Sequence, residues 1–200
     1  MPYLKQIAAH TNCQNIQRYL EKNDRALAKD FFNLSVDERD GYGDEGKEDI
    51  RWADEMDALR SRFGNDSPFG SLRARTYKHF IISPDPEDGI DLEALRELAR
   101  AWALEHFEDY QVAIVYHDDN ESRIPHAHIV VNNTNLETGR RMHHDDPKEF
   151  NRRLQEMAKE RKLLYLTDAR EPTEGLDRFA SQTQPEKVRP KTLQQIYVGR

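Results

Sequence analysis

The sequence has one cysteine, Cys13, in 200 residues. That excludes an intrachain disulfide and a zinc site built on cysteines. It has no apolar run long enough to span a bilayer. Its first residues, MPYLKQIAAH, lack the basic segment and apolar core of a secretory signal. No membrane insertion is expected, and the cytoplasm is the simplest location. Internal repeats and low-complexity tracts are absent too. The chain is long enough to bury a core in one large domain or two small ones.

Excess positive charge is also missing. The formal net charge is −7, which is not what a nucleic-acid binder usually carries. The acid is unevenly spread: between Glu21 and Asp66 there are 14 acidic against 8 basic side chains. Between Arg140 and Lys162 the balance reverses to 8 basic against 5 acidic, with His143 and His144 next to Arg140 and Arg141. A local basic face on an acidic protein is compatible with that distribution. Arg152 to Lys162 alone reads as an ordinary solvated helix.

What the chain does have is the stretch His117 to Asn133, HDDNESRIPHAHIVVNN. His126 and His128 are two residues apart at the start of an apolar run, so in a strand they share one face. Two imidazoles side by side can hold a divalent metal if a third ligand arrives from a neighbouring element. His117 ends the preceding run Val112 to Tyr116, whose β-branched and aromatic content predicts a strand. If the two runs pair as an antiparallel hairpin across Asp118 to Ile124, His117 meets His126. Asp118 and Asp119 are then placed to orient an imidazole. An H-x-H pair alone is equally an ordinary strand feature.

The rest of the chain frames that hairpin. Tyr3 to Ala8 reads as a first strand, followed by a helix capped by Thr11 or Asn12. Ile16, Tyr19 and Leu20 share a face of that helix, which on spacing alone makes Tyr19 a core aromatic. Residues 33–70 read as an acidic surface excursion or lid, with a short helix-like segment around Trp52, Met56 and Leu59. Thr76 to Ser83 alternates as a strand, with Tyr77, His79, Ile81 and Ser83 on one face and Phe80 and Ile82 opposite. Asp91 to Phe107 is a helix whose stripe of Leu92, Leu95, Leu98, Ala99, Trp102 and Ala103 is core. His106, near its end, favours the helix dipole. Asp145 to Lys162 is a further helix, with Pro147 near its first turn, and Leu163 to Leu166 an edge strand. The order strand, helix, strand, helix, strand, strand, helix contains a hairpin that doubly wound folds lack. An α+β fold with an antiparallel-rich sheet and helices packed on one or both of its faces is expected. Residues 1–168 form the expected domain and 169–200 a polar tail.

Three segments resemble parts of the catalytic domain of conjugative relaxases, the mobilisation nucleases within the wider histidine-hydrophobic-histidine endonuclease group. The resemblance is to the single-tyrosine class. NIQRYL, residues 15–20, resembles the first motif and implies Tyr19 as nucleophile. TYKHFIIS, residues 76–83, resembles the second and implies that Ser83 contacts DNA. HDDNESRIPHAHIVVNN, residues 117–133, resembles the third and implies His117, His126 and His128 as ligands of one divalent ion, magnesium or manganese. The resemblance spans roughly residues 1–165 and implies a relaxase/Rep-like palm. The implied reaction nicks single-stranded DNA at a transfer origin, forms a 5′-phosphotyrosine link and later rejoins the strand. The phenol proton would go to Asp118, to Asp119 or to a hydroxide on the metal. Accessory DNA-binding and coupling proteins are further candidate partners.

A basic DNA cleft would have to come from Arg73, Arg75, Lys78, Arg140 and Arg141, with Lys187, Arg189 and Lys191 in the tail. His79 shares a face with Ser83 and is a further candidate for phosphate contact. The chain is expected to be the nuclease part of a longer protein. Two other readings use the same residues. One is a metal-dependent phosphoesterase with a water nucleophile, and the other a single-stranded DNA-binding module whose metal is structural.

Overall fold

The computed structural model describes residues 3–9, 11–35, 51–68, 73–143, 146 and 148–163. The elements in order are β1 (Tyr3–Ala8), α1 (Cys13–Glu21), β2 (Ala28–Phe32), α2 (Trp52–Arg62), β3 (Tyr77–Ser83), α3 (Leu92–Phe107), β4 (Tyr110–His117), β5 (His126–Asn135) and α4 (Lys148–Glu160). The strands form one sheet in the order β1-β3-β5-β4-β2, with each neighbouring pair antiparallel. This is the α+β, antiparallel architecture expected from the sequence.

The central strand β5 is buried along nearly its whole length, as are β3 and β4, because helices cover both faces of the sheet. On one side, α3 and α4 pack on Phe80, Ile82, Val112, Ile114, Ile129 and Val131. On the other, α1 and α2 pack on Tyr77, Ala113, Val115 and Val130. Alternate residues of each strand feed two cores, which is why β4 and β5 read as continuous apolar runs.

The helix α3 starts where Asp91 Oδ1 accepts a hydrogen bond from the Ala94 amide at 2.8 Å. Its Leu95, Leu98, Ala99, Trp102 and Ala103 are fully buried. Trp102 Nε1 donates to the Phe150 carbonyl at 3.0 Å, tying α3 to α4. His106 packs between Trp102 and Phe150. Burial lowers its pKa, and its ring is part of the aromatic cluster between the two helices.

Two elements differ from the sequence expectation. Ala28–Phe32 is an edge strand that pairs with β4, and its Asp30 is buried. Arg96 binds Asp30 at 2.7 and 3.1 Å and Arg100 binds it at 2.7 Å, anchoring the strand to α3. Within the expected excursion, α2 is a core helix: Trp52, Ala53 and Met56 are at most 1% exposed. Residues 36–50, residues 164–166 of the edge strand expected at 163–166, and the tail lie outside the described residues. Among the described residues no helix is long and apolar enough to cross a membrane.

Because Trp52 fills the space between α2 and α1, Trp52→Ala is expected to cost about 3–5 kcal/mol of stability. Urea unfolding followed by circular dichroism checks this. A cost below about 1 kcal/mol, the range of surface changes, would return α2 to the surface.

Candidate metal centre and tyrosine helix

The register between β4 and β5 sets His117 directly opposite His126, and Val115 opposite His128. His117, His126 and His128 therefore emerge on the same face of the sheet, at the end beneath the C-terminus of α1. All three are buried, and one ring nitrogen from each lies within 4.8 Å of the others. Small rotations would bring these nitrogens to the roughly 3 Å separation allowed by metal–nitrogen bonds of about 2.1 Å.

Each ring is fixed from behind by a different element. His117 Nε2 donates to the Leu20 carbonyl at the end of α1, 2.8 Å away. That leaves Nδ1 as the free lone pair of His117. His126 Nδ1 lies 3.4 Å from the Ile124 carbonyl. Asn120 braces the turn by donating to the Ile124 carbonyl at 2.6 Å and accepting from the Ile124 amide at 2.8 Å. His128 Nδ1 lies 3.0 Å from Nε2 of His79 on β3. Such outer contacts set which nitrogen is offered to a metal.

Burial pushes the pKa of His117 down to about 4, with the Arg25 charge adding to the effect. Burial also lowers His126, and His128 falls well below its ordinary value. His79 is pushed down to about 4 by burial and by His117. Neutral imidazoles are the protonation state that coordination requires. The donor set, the spacing and the held ring orientations fit a single divalent cation.

Tyr19 is half-buried on α1, at the margin of the core cluster that contains Ile16 and Leu20. Asn12 caps this helix by accepting from the Asn15 amide at 3.2 Å. Hydrogen bonds to α2 hold it: Asp57 accepts from the Cys13 amide at 2.8 Å, Trp52 Nε1 donates to Glu21 at 2.8 Å, and the Ala53 amide donates to Gln17 at 3.2 Å. After α1 the chain reverses through Asn23 and Asp24, both at positive φ, a conformation these two residue types tolerate. The reversal brings Arg25 back beneath the helix end. Arg25 donates to the Tyr19 and Leu20 carbonyls, and its Nη1 lies 3.0 Å from Asp119 Oδ2. Its Cζ stands 4.6 Å from the Tyr19 ring centroid. Asp119 Oδ1 is in turn 3.6 Å from His126 Nε2. Asp118 instead faces the exposed Arg123 at 3.6 Å.

Other expected contacts fall elsewhere. Ser83, one residue beyond the Ile82–Ala127 pair, is level with His126. His79 was expected to reach phosphate, but it is 4% exposed and bonded to His128, so it faces an imidazole and not solvent. Arg73 and Arg75 precede β3, and Arg140 and Arg141 follow β5. Arg75, Arg140 and Arg141 meet at the far end of the sheet, where Asn133 Nδ2 donates to the Arg75 carbonyl, the Asn135 amide to the Arg140 carbonyl, and Thr134 bridges to Arg141. That end is roughly 17 Å from His128, at about 3.4 Å per strand residue. Lys78 lies on the opposite face from the histidines, buried, with Nζ 5.9 Å from the Phe150 ring centroid. Burial lowers its pKa to about 8. Among the described residues, Arg25 acts on all three rings, Lys29 lies on β2 opposite Val115, Lys5 on β1 is level with Ile81 and His128, and Arg123 sits in the hairpin loop beside Asp118; sequence reasoning singled out none of them. His10, His144 and the tail cations lie outside the described residues.

The buried histidines carry a pH signature. Below about pH 6.5 the unfolded chain takes up protons that the folded chain refuses, so stability falls as pH falls until the folded values near 4 are reached. With metal removed by chelation, unfolding free energy should drop between pH 6.5 and 4, by up to about 1.4 kcal/mol per pH unit for each histidine that stays neutral. Urea melts across that window measure the slope, and a flat profile would contradict neutral burial.

A profile of the family described as relaxase, MobA/VirD2-like, nuclease domain, matches residues 35–163, a span that takes in the histidine hairpin but begins after Tyr19. Comparison with curated protein sequences finds no match. Among solved structures, one described as the molecular basis of vancomycin resistance transfer in Staphylococcus aureus is similar at 10% identity. It covers 86% of this chain and 99% of that one, with a TM-score of 0.57. A metal-bound conjugative relaxase TrwC in complex with oriT DNA is similar at 15% identity, over 86% of this chain and 74% of that one, with a TM-score of 0.50. At such identities these likenesses speak for the fold, whereas the profile covers most of the chain: the protein belongs to the MobA/VirD2-like relaxase nuclease family and is a DNA-nicking enzyme.

Proposed function

We propose that residues 1–168 form a metal-dependent relaxase domain that cuts one strand of single-stranded DNA at a transfer origin, with Tyr19 as nucleophile. The observation that carries the reading is the convergence of three buried, neutral imidazoles with the tyrosine-bearing end of α1, joined through the shared Leu20 carbonyl. The metal-bound, oriT-bound relaxase with the same fold is consistent with it.

Tyr19 Oη attacks the scissile phosphorus, forming an O–P bond as the bond to the 3′ oxygen breaks. The 5′ phosphate stays on the tyrosine, and the departing 3′ oxygen gains a proton. Because one ester replaces another, the link retains the energy needed to rejoin the strand. Asp119 takes the phenol proton. It is favoured over Asp118 because the Arg25 guanidinium that bonds it also stands over the Tyr19 ring. A divalent ion held by His117, His126 and His128 would polarise the non-bridging oxygens and offset the charge that grows in the transition state. Ser83 lies beside His126, where it can donate to a phosphate. Affinity for such an all-imidazole site rises from manganese towards the later first-row ions, and magnesium prefers oxygen ligands.

The deciding experiment incubates the protein with manganese and labelled single strands from DNA flanking its gene, followed by a denaturing gel and peptide mass spectrometry. A DNA-linked peptide containing Tyr19, lost in Tyr19→Phe, in His126→Ala and on chelation, is the expected result. Cleaved DNA with no adduct would move the attack to water, and binding without cleavage would leave a DNA-binding module. The far-end arginines should act on binding: Arg75→Ala with Arg140→Ala is expected to weaken binding of a long single strand by about 3- to 10-fold. It should also flatten the salt dependence by about 0.7 in log–log slope for each phosphate that is no longer neutralised. Fluorescence anisotropy at several salt concentrations reads both.

A further inference from the structure

We infer that Arg25 is a positioning residue for the Tyr19 nucleophile, its single guanidinium clasping the end of α1 to the histidine centre and holding the phenol ring in place. The inference rests on the assignment of Tyr19 as nucleophile.

The partners of Arg25 come from separate parts of the chain. Nη2 and Nε reach the Tyr19 and Leu20 carbonyls, two of the acceptors left open at the end of α1. Nη1 reaches Asp119, 94 residues away, at 3.0 Å. The guanidinium carbon lies 4.6 Å from the Tyr19 ring centroid, within the range of a cation–π contact. The Leu20 carbonyl that Arg25 holds also accepts from His117. A shift of this one side chain therefore moves the nucleophile, the carboxylate beside His126 and the acceptor that fixes His117.

Helix capping alone does not account for this arrangement. Any cation near a helix C-terminus satisfies its dipole and carbonyls, and a lysine would serve. Bonding two carbonyls and a carboxylate in one plane while stacking on a ring requires the fork geometry of arginine. The side chain is 22% exposed and Asp119 26%, so the pair is partly shielded from water and held more firmly than a surface ion pair. The left-handed Asn23 and Asp24 that aim Arg25 inward are part of the same device.

The test measures single-turnover adduct formation with the full chain, a labelled origin strand and manganese. DNA affinity is measured in EDTA and melting temperature by circular dichroism. Arg25→Ala should slow adduct formation by about 100-fold, the scale of a misplacement of about 1 Å at a reacting group, with DNA affinity changed by less than about 3-fold, since no phosphate contact is assigned to it. Arg25→Lys keeps the charge and should remain at least about 10-fold slow, because the planar fork is lost. Guanidinium at tens of millimolar should raise the Arg25→Ala rate and leave the wild-type rate alone, a response that a purely structural role would not give.

Adduct formation by Arg25→Lys within about 2-fold of wild type overturns the inference. So does a rate loss that follows only the unfolded fraction. If Arg25→Ala does not fold, Arg25→Lys decides. Tyr19→Phe is run alongside: an adduct that survives it defeats the nucleophile assignment, whereas a dead Tyr19→Phe beside active Arg25 variants defeats the clasp alone.

Discussion

The pairing of His117 with His126 across β4 and β5 is the constraint on which the centre depends. In a strand the side-chain period is two, so a slip of one residue would send one imidazole to the α1 face and the other to the α3 face. What prevents the slip is burial on both sides. Val115 and Val130 belong to the core under α1 and α2, and Ile114 and Ile129 to the core under α3 and α4. A shifted register would exchange two packed sets at once. The three histidines therefore inherit their geometry from a hairpin packed on both faces, although its loop, Asp118 to Ile124, is polar.

Burying imidazoles carries a cost, since each polar nitrogen must find a partner. The partners come from α1 for His117, from the hairpin turn for His126 and from β3 for His128. Helix, turn and neighbouring strand are thus coupled to the orientation of the three rings. The coupling continues outward: α2 holds α1 through Asp57, Trp52 and Ala53, so a segment with no chemistry of its own supports the helix that bears Tyr19.

The hairpin, β3 and α3 were legible in the sequence because their patterns are local: alternation, apolar runs and a periodic stripe fix the element without knowledge of its partner. The edge strand β2 was not, because its centre is Asp30, which looks solvated until Arg96 arrives from 66 residues away. The helix α2 was half legible. Trp52 and Met56 stand one helical turn apart, but the charge around them resembles a surface. Tyr19 could not be separated from a core aromatic by spacing, since it shares the i, i+3, i+4 stripe with Ile16 and Leu20; only the resemblance to a family motif proposes it as nucleophile. For His79 the sequence left phosphate contact and a satisfied sheet residue both open, because alternation gives the face and only register gives the contact with His128. Arg25 left no pattern at all: its role depends on a chain reversal and on a carboxylate 94 residues away.

The distribution of charge bears on how an acidic domain handles DNA. The arginines at the far end of the sheet stand roughly 17 Å from the triad, about two Debye lengths at physiological salt. Their field is largely spent before it reaches the histidines, so they can hold a strand but do little for charge at the reacting phosphate. Around the triad, Arg25 is offset by Asp119, Lys29 by Glu21 at 2.9 Å and Arg123 by Asp118. The imidazoles are neutral. Without a cation, Arg25, Lys29 and Arg123 thus present little uncompensated positive charge to a phosphodiester that gains negative charge during reaction. On the proposed reading, the ion that the three histidines fit would supply charge stabilisation that these paired side chains do not. The protein's own contribution would then be placement: rings held by register, and a tyrosine held by a helix end.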